Sequence, residues 1–558
     1  MKILSINIHN FRSIEDAVLY LGDYSLLIGA NNSGKSNLVD ALRIFYEKEI
    51  KFEFDRDFPK FSTEDKESWV EIEYKLSREE ALTIKQEYLT GSNSFTVRRW
   101  LYPSEKTKLG YFGYENGKLT DTLFYGWKNV GQAKLGNVVY IPAISRLEDH
   151  TKLTGPSALR DLVNDILKPI IKSSAAFSNL TNQFKEFGTA IKEEETPDKR
   201  SLKGLESRIN EEIKGWGASF NIDVTTPQED DIVKGLIRHS VTDIELNKAL
   251  ESGSFGHGFQ RHLIFSLVRI AASYTAPKAE AKKKEFSPEL ELLLFEEPEA
   301  FLHPPQQDEL DTSLRQLAVQ PDRQVLAATH SPHFVSYNTD DIADLVHFQK
   351  VGARTKISQI SRERLKEIFE DNQVICRVYE AAQSDPSLEF ELEEIRHFLW
   401  LNPERCGMFF AGRVLIVEGL TEQVVTNYLF KTGQIELKAG DKGVFALDAR
   451  GKYNIHRFMN LLGELEIEHA VLHDLDSDKV GNEKTKHEGL NDLIAKSKNE
   501  YTVSIDTFPR NLESFLGVPV VDNDHWRKAA KALLSVKRGE VPADKLKAFI
   551  EKIKNLLS

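Results

Sequence analysis

The sequence predicts a multidomain α/β protein, and three observations lead to this fold class. The chain has 558 residues, which at roughly 150 residues per domain corresponds to several hydrophobic cores. Two apolar runs, Tyr24–Ile28 and Arg413–Val417, each lead into a glycine-containing turn and a helical pattern, as in parallel βα units. Strand-like and helical patterns also alternate over 235–350 and again beyond 405. Residues 156–217 have a helical pattern.

The composition is that of a folded protein outside the membrane. Hydrophobic residues make up 41% and charged residues 28% of the chain, which argues against disorder. No apolar run approaches the roughly 20 residues that cross a bilayer, and the N-terminal pattern is that of a strand. Two cysteines, Cys376 and Cys406, are too few for a disulfide framework and favour a cytoplasmic location.

The distribution of charge matters more than its total. A formal net charge of −13 argues at first against a polyanionic partner. Residues 526–558, however, hold nine basic residues and three acids, a local excess of six positive charges. Because nucleic-acid binding depends on local patches, this segment is either a DNA contact or the solvated face of a helix.

The strongest motif is GANNSGKSN at 29–37, which lies between an apolar strand and an amphipathic helical pattern. Its spacing, G-x-x-x-x-G-K-[ST], is typical of a loop whose backbone N–H groups and helix N-terminus surround a phosphate. Lys35 would bridge the β- and γ-phosphates of ATP, and the Ser36 hydroxyl would ligate Mg²⁺. The other predicted nucleotide-binding residues are Asn31, Asn32, Ser33, Gly34 and Asn37.

Acidic residues follow the apolar run 292–295, and a histidine follows the run 325–328. Because ligands bind at the carboxyl ends of strands in such sheets, Glu296 is expected to hold Mg²⁺ and Glu297 to position the attacking water. His330 could reach a γ-phosphate, although a lone histidine at a strand end is more often structural. For the acids taken alone, an ordinary loop after a strand is the alternative.

A glycine-containing loop, SGSFGHGFQ at 252–260, precedes an apolar helical stretch. Gly256 and Gly258 would let the backbone approach a phosphate, with Gln260 beside them at the helix N-terminus. A plain helix-entry loop is the alternative.

A second set of acids lies in the C-terminal region. Glu418 follows an apolar strand and Glu422 begins the next helical pattern; Asp474 and Asp476 end another strand, where alternation puts them on one face. Glu513 opens a further helical stretch. Such oxygen-rich sets favour Mg²⁺ or Mn²⁺, and two such ions can stabilise both oxygens of a phosphodiester displacement. Each acid taken singly could instead be a helix cap or a solvated loop residue.

The N-terminal motifs in this order resemble the ABC-type ATPases of the SMC/RecF class, in which two heads enclose two nucleotides. The motifs are NFRS at 10–13, the loop at 29–37, SFGHGFQR, LLLFEEPEAFLHP and ATHSP. The resemblance implies that Arg12 contacts phosphate in its own head, that 256–260 contacts the nucleotide of the other head, and that His330 is the switch histidine. The usual signature begins Leu-Ser-Gly-Gly, whereas this chain has Phe255-Gly256-His257-Gly258.

The elements VEG-x-T-E and D-x-D resemble the Toprim domain of topoisomerases, primases and OLD (overcoming lysogenization defect) nucleases. The resemblance implies metal or acid–base roles for the five C-terminal acids, and a basic residue beside the scissile phosphate, for which Lys537 is the candidate. An ABC-type ATPase followed by Toprim resembles the OLD family over nearly the whole chain. The implied domains are an ATPase N-terminal lobe at 1–150, a helical dimerisation insertion at 151–230, an ATPase C-terminal lobe at 231–355, a helical connector at 356–404 and Toprim at 405–558.

This resemblance implies a metal-dependent DNA endonuclease or nickase governed by ATP, acting as a homodimer or higher homo-oligomer in antiphage defence. Some members of the family act beside a UvrD-like helicase and others beside a retron reverse transcriptase with its nucleic acid; the sequence does not choose between them. Two alternatives stay open: a nucleotide-switched DNA-binding scaffold, and a DNA-repair ATPase without nuclease activity. The direction of the ATP effect and the DNA specificity are also open.

Overall fold

The computed structural model describes most of the chain. The described residues are 1–103, 109–128, 135–143, 174–223, 240–250, 254–274, 290–335, 340–379, 401–435, 443–519 and 525–558, with single positions among 159–171 and 286–288. The chain divides into two compact units, which are described separately: Met1–Ala143, Lys282–Glu299 and His303–Ser558 form the first, and Ile144–Ala281 with Ala300–Leu302 the second. Much of the predicted insertion and residues 380–400 of the predicted connector lie outside the described residues.

The N-terminal part of the first unit contains a mainly antiparallel sheet and the helix after the phosphate loop. Its elements are β1 Lys2–Phe11, β2 Ile14–Tyr20, β3 Tyr24–Ile28, α1 Lys35–Phe45, α2 Phe54–Asp57, β4 Ser68–Lys75, α3 Arg78–Ala81, β5 Ser94–Tyr102, β6 Tyr111–Glu115, β7 Lys118–Leu123 and β8 Asn137–Ile141. Six of these strands form a sheet in the order β2-β1-β4-β5-β6-β7. The inner face of this sheet packs with α1 in one hydrophobic core.

The second unit is helical over most of its described length, as the sequence predicts. Its elements are α4 Ala175–Glu193, α5 Leu202–Ile213, the hairpin strands β9 Val241–Asp243 and β10 Lys248–Leu250, and α6 His257–Tyr274. No residue of α5 is buried within this unit.

The remaining ATPase elements complete a second sheet in the first unit. They are β11 Glu291–Glu296, α7 Pro304–Ala318, β12 Arg323–Ala328, β13 Leu345–Val351, β14 Arg354–Ser358 and α8 Arg362–Tyr379. The sheet order is β14-β13-β3-β12-β11-β8, and only β14 runs antiparallel to its neighbour. The carboxyl ends of β3, β11 and β12 therefore share one edge. The connector predicted at 356–404 begins inside β14, and its helix starts at Arg362.

The C-terminal part forms a separate parallel sheet with helices. Its elements are α9 Pro403–Cys406, β15 Arg413–Val417, α10 Leu420–Lys431, β16 Val444–Asp448, α11 Lys452–Glu464, β17 His469–Asp474, α12 Gly481–Lys496, β18 Thr502–Phe508, α13 Leu512–Leu516, α14 His525–Lys537 and α15 Ala543–Leu556. The strand order is β16-β15-β17-β18, all parallel. Within the part of the chain that the structure describes, no helix has the length and apolar character of a membrane-spanning segment.

The basic segment 526–558 forms two helices that pack on this sheet. Phe549 and Ile553 of α15 are buried in the core with Phe508, and the Lys552 ammonium pairs with Asp506 at 2.6 Å. Exposed basic residues of this segment, such as Arg527, Lys537 and Lys547, lie on the outer faces of these helices, which is compatible with both interpretations that the sequence left open.

Candidate nucleotide and metal sites

The β13–β14 hairpin packs against the phosphate loop. Gly29 and Gly34 have φ angles of 130° and 109°, in the left-handed region where only glycine is unstrained. A Cβ atom at Gly29 would lie 2.2 Å from the Phe348 carbonyl oxygen, and one at Gly34 would lie 2.2 Å from Thr355 Oγ1. Both glycines are therefore required by the packing of the loop as well as by its turn.

Lys35, the first residue of α1, closes the loop from inside. Its Nζ donates to the carbonyl oxygens of Gly29 at 2.8 Å and Ala30 at 3.0 Å. Burial lowers the pKa of Lys35 to about 8, and the nearby carboxylates Glu297 and Glu299 oppose this shift. The ammonium is thus charged at neutral pH, and its contact with the phosphates of ATP stays a prediction.

His330 and its neighbours lie beside Lys35. Burial, reinforced by the charge of Lys35, lowers the pKa of His330 to about 4, so the ring is neutral at physiological pH. The Glu299 carboxylate accepts hydrogen bonds from Thr329 Oγ1 at 2.8 Å and from the His330 backbone N–H at 2.6 Å. Glu299 therefore positions the His330 loop. The sequence prediction did not include Glu299, although it lies within the motif FEEPE.

The two acids after β11 have different surroundings. Tyr140 Oη donates to Glu296 Oε2 at 2.5 Å, and burial raises the pKa of that tyrosine. Glu297 has φ 44°, and its backbone N–H donates to the Ala328 carbonyl at 2.7 Å. The role predicted for Glu297, positioning the attacking water, stays a prediction.

The other predicted nucleotide-binding residues differ in the exposure of their side chains and in the partners that these side chains already have. Arg12 is engaged by Asp57 at 3.0 Å and Asp40 at 2.7 Å, so contact with a phosphate would require it to exchange these partners. Asn37 Nδ2 donates to Ser13 Oγ at 2.7 Å. Ser33 Oγ is buried without a hydrogen-bond partner, and the exposed residues of the loop include Asn31, Asn32 and Ser36.

The predicted signature residues belong to the second unit. Gly256 precedes α6, Gly258 lies in its first turn, and Gln260 Nε2 donates to the Phe255 carbonyl at 2.7 Å. Gln260 thus stabilises its own loop, and its predicted contact with a nucleotide stays a prediction.

Strand β14 connects the phosphate loop to the C-terminal sheet. Thr355 Oγ1 donates to the backbone carbonyl of Ser33 at 2.8 Å. The next residue, Lys356, pairs with Glu466 at 2.9 Å, and Ser358 Oγ donates to the Leu465 carbonyl at 3.0 Å. Because successive side chains of a strand point to opposite faces, β14 contacts both regions at once.

The five C-terminal acids lie near the carboxyl edge of the parallel sheet. Glu418 Oε2 accepts the Asp474 backbone N–H at 3.0 Å, and Glu513 Oε1 accepts Thr421 Oγ1 at 3.2 Å. Strand β17 ends at Asp474, and Asp476 has φ 55° beyond it. The alternation used to place these two aspartates on one strand face is therefore wrong, and a turn brings Asp476 to the edge.

Burial and mutual repulsion make this cluster reluctant to ionise. Burial raises the pKa of Glu418 to about 7 and that of Glu422 to about 8. The pKa of Asp474 is raised still further, first by burial and then by the charges of Glu422 and Glu418. Asp448, at the end of β16, adds to the repulsion on Glu422. It is a sixth acid that the sequence prediction did not include.

The chemistry of these donors fits a divalent cation. All of them are carboxylate oxygens, and Asp474 Oδ1 is buried without a hydrogen-bond partner. A cation would relieve the repulsion that raises the pKa values of the cluster. Among the described residues, no three His, Cys, Asp or Glu side chains converge closely enough to hold an ion as they stand.

Lys452 is a further residue of this site that the sequence prediction did not select. Its buried ammonium pairs with Asp476, which also lies 2.9 Å from His487 Nδ1. Lys537, the predicted catalytic lysine, is the last residue of α14, with its Nζ 5.4 Å from the centre of the Tyr428 ring. Its role stays a prediction.

Two family models match the chain. One, described as AAA ATPase domain, matches residues 1–123 and 111–335. The other, described as the TOPRIM domain of overcoming lysogenization defect protein-like proteins, matches residues 409–476. These matches confirm the predicted order of an ATPase region followed by a TOPRIM domain.

Similar proteins extend over most of the chain. The Old nuclease of Escherichia phage P2 is 23% identical over 94% of this chain and 86% of its own length. Endonuclease GajA of Bacillus cereus strain VD045 is 23% identical over 90% of this chain and 81% of its own. Among solved structures, the SmcHead bound to the C-winged helix domain of ScpA aligns with a TM-score of 0.38 and 16% identity, over 66% of this chain and 100% of that one.

Proposed function

We infer the function of this chain from its membership of the OLD family, in which an AAA ATPase domain precedes an OLD-like TOPRIM domain. We infer that the chain is a divalent-metal-dependent DNA endonuclease or nickase regulated by ATP. The observation that carries the proposal is the buried acid cluster at the carboxyl edge of the C-terminal sheet. The relatives named as a nuclease and an endonuclease support nuclease activity, and DNA as the substrate and a role in antiphage defence belong to the proposal.

The residues of the cluster would divide the work of phosphodiester cleavage. Bound at this edge, divalent ions would activate a water and neutralise the leaving oxygen. Glu418, Asp474 and Asp476 would hold them, and Glu422 and Glu513 would complete the ligand set or transfer protons. Because burial favours the protonated acids, metal binding would release protons, and occupancy should increase with pH.

Plasmid cleavage tests this proposal directly. Supercoiled DNA is incubated with the protein and Mg²⁺ or Mn²⁺ over a range of ATP concentrations, with Glu418→Ala and Asp474→Ala as variants. Asp478→Ala is the matched control, because this exposed acid of the same loop pairs with Arg510. We expect nicking or linearisation by the wild type and the control only. If the wild type leaves DNA intact under all these conditions, a scaffold or a repair ATPase becomes the better description.

The contacts of β14 support regulation of cleavage by ATP. A nucleotide that reorders the phosphate loop would act on Ser33 and Gly34, which touch Thr355. Strand β14 would carry that change to Leu465 and Glu466, which directly follow α11. The N-terminal end of α11, at Lys452, lies at the acid cluster. One strand and one helix therefore join the two sites.

The double variant Lys356→Ala/Ser358→Ala should uncouple the two sites. In the wild type, ATP should change the cleavage rate by about 5-fold or more, since allosteric coupling free energies are typically 1–3 kcal/mol. In the double variant, the ratio of cleavage rates with and without ATP should approach one. Nucleotide affinity should stay within about 2-fold, because neither side chain contacts the phosphate loop. Lys350→Ala, an exposed lysine of the same hairpin, is the control. An unchanged ATP response in the double variant would contradict this route.

Self-association is assigned to the second unit. Within that unit Trp216 is 84% exposed and Phe187 is 54% exposed. The homodimer or higher homo-oligomer, a UvrD-like helicase or retron reverse transcriptase as partner, and the cytoplasmic location stay predictions.

A further inference from the structure

Lys452 is a buried cation inside a cluster of acids. Only 2% of the residue is exposed, and its ammonium is paired with Asp476 Oδ2. His487 Nδ1 lies 3.4 Å from Lys452 Nζ and 2.9 Å from the same carboxylate oxygen. One carboxylate of the predicted metal site is therefore held by two basic groups, from α11 and α12.

The position of Lys452 is set by the backbone. The N-cap of α11 is Gly451, whose φ of 111° lies in the left-handed region. Its N–H donates to the backbone carbonyl of Glu418 at 2.7 Å, so the helix start is tied to the end of β15. The backbone of Lys452 is thus fixed at the helix start, and its buried side chain extends into the acid cluster.

The ammonium and a metal ion would compete for the same oxygen. Lys452 also stabilises the charged form of Glu418, against the effect of burial that raises the pKa of that acid. A buried ammonium is tolerated only when paired, and its positive charge beside Asp476 Oδ2 repels a cation that would bind the same oxygen.

We propose that Lys452 is a positioning residue that holds the Asp476 carboxylate in place and, through its positive charge, competes with the divalent ion that this carboxylate would bind. Lys452 therefore weakens metal binding while it keeps Asp476 aligned for the reaction. The proposal rests on the metal-dependent nuclease function inferred above. It predicts that metal affinity and cleavage change in opposite directions when the charge is removed.

The experiment is a titration of the full chain with Mn²⁺ in the absence of DNA, followed by electron paramagnetic resonance or calorimetry. Lys452→Met should bind Mn²⁺ at least about 3-fold more tightly than wild type, because a positive charge in contact with a ligand is removed. Its plasmid cleavage should fall by about 10-fold or more, because Asp476 loses its alignment. Lys452→Arg should bind Mn²⁺ like the wild type.

Two further variants keep the result decisive. Lys484→Met, an exposed lysine paired with Glu488, should leave Mn²⁺ affinity unchanged. Lys452→Gln replaces Lys452→Met if the latter does not fold, since it keeps a hydrogen-bond donor without charge. Equal or weaker Mn²⁺ binding by the folded charge-free variant would overturn the proposal. If instead the wild type binds Mn²⁺ but cuts no DNA, the nuclease function fails while the titration still tests Lys452.

Discussion

Replacing Asp474 with asparagine is expected to abolish cleavage while stabilising the metal-free protein. Asp474 is surrounded by Glu418, Glu422 and Asp476, and its ionised form is disfavoured by burial and then by their charges. Loss of this ligand should cost more than about 100-fold in cleavage rate, since even outer-shell partners of metal ligands cost 10–100-fold. At neutral pH the aspartate must take up a proton on folding, whereas asparagine is uncharged in both states, so the free energy of unfolding should rise by about 1 kcal/mol or more.

The pH dependence follows from the direction of these shifts. Glu418 and Glu422 have pKa values of about 7 and 8 in the folded chain and an ordinary value of 4.5 when unfolded. Between pH 4.5 and 8 the folded chain therefore binds more protons than the unfolded chain. Its free energy of unfolding falls as pH rises, by at most about 1.4 kcal/mol per pH unit for each group.

Thermal melts in a chelating buffer from pH 5 to pH 9 measure both effects. The wild type should lose stability across this range, Asp474→Asn should lose less, and added Mn²⁺ should restore most stability at the alkaline end. Asp478→Asn is the control, because Arg510 lowers the pKa of this exposed acid. A variant that melts below the wild type at pH 8 would contradict the repulsion that we describe.

Replacing Lys35 with alanine should remove the nucleotide response. In the present conformation the ammonium is bonded to the loop carbonyls of Gly29 and Ala30, and bound phosphates would take their place. Hydrogen bonds to charged groups contribute about 1.5–3 kcal/mol, so the Kd for ATP should rise roughly 10- to 150-fold. Cleavage by Lys35→Ala should then be the same at all ATP concentrations that affect the wild type.

Fluorescent nucleotide binding and plasmid cleavage check this result together. Lys51→Ala, an exposed lysine after α1, is the control and should bind ATP like the wild type. Retention of the ATP response in Lys35→Ala would show that the nucleotide acts elsewhere in the protein. Loss of cleavage with and without ATP would instead show that the loop supports the nuclease structurally.

Local chemistry explains how far prediction from the sequence could reach. The phosphate loop, the acids after β11 and His330 are recognisable because each motif follows one buried strand, and the parallel sheet then brings the ends together. The same logic found Glu418 and Asp474. It failed for the geometry of Asp476, because β17 ends earlier than the alternation implied.

The sequence by itself determined the family and the order of ATPase and TOPRIM regions, and it predicted most of the acids that the structure brings to one sheet edge, because these depend on short contiguous patterns. Only the tertiary structure decided which distant residues support them. Thr355 packs on Gly34, Lys356 reaches Glu466, and Lys452 enters the acid cluster from a different strand–helix unit. The physical reason is that such contacts join residues tens to hundreds of positions apart, and no periodicity or spacing encodes them.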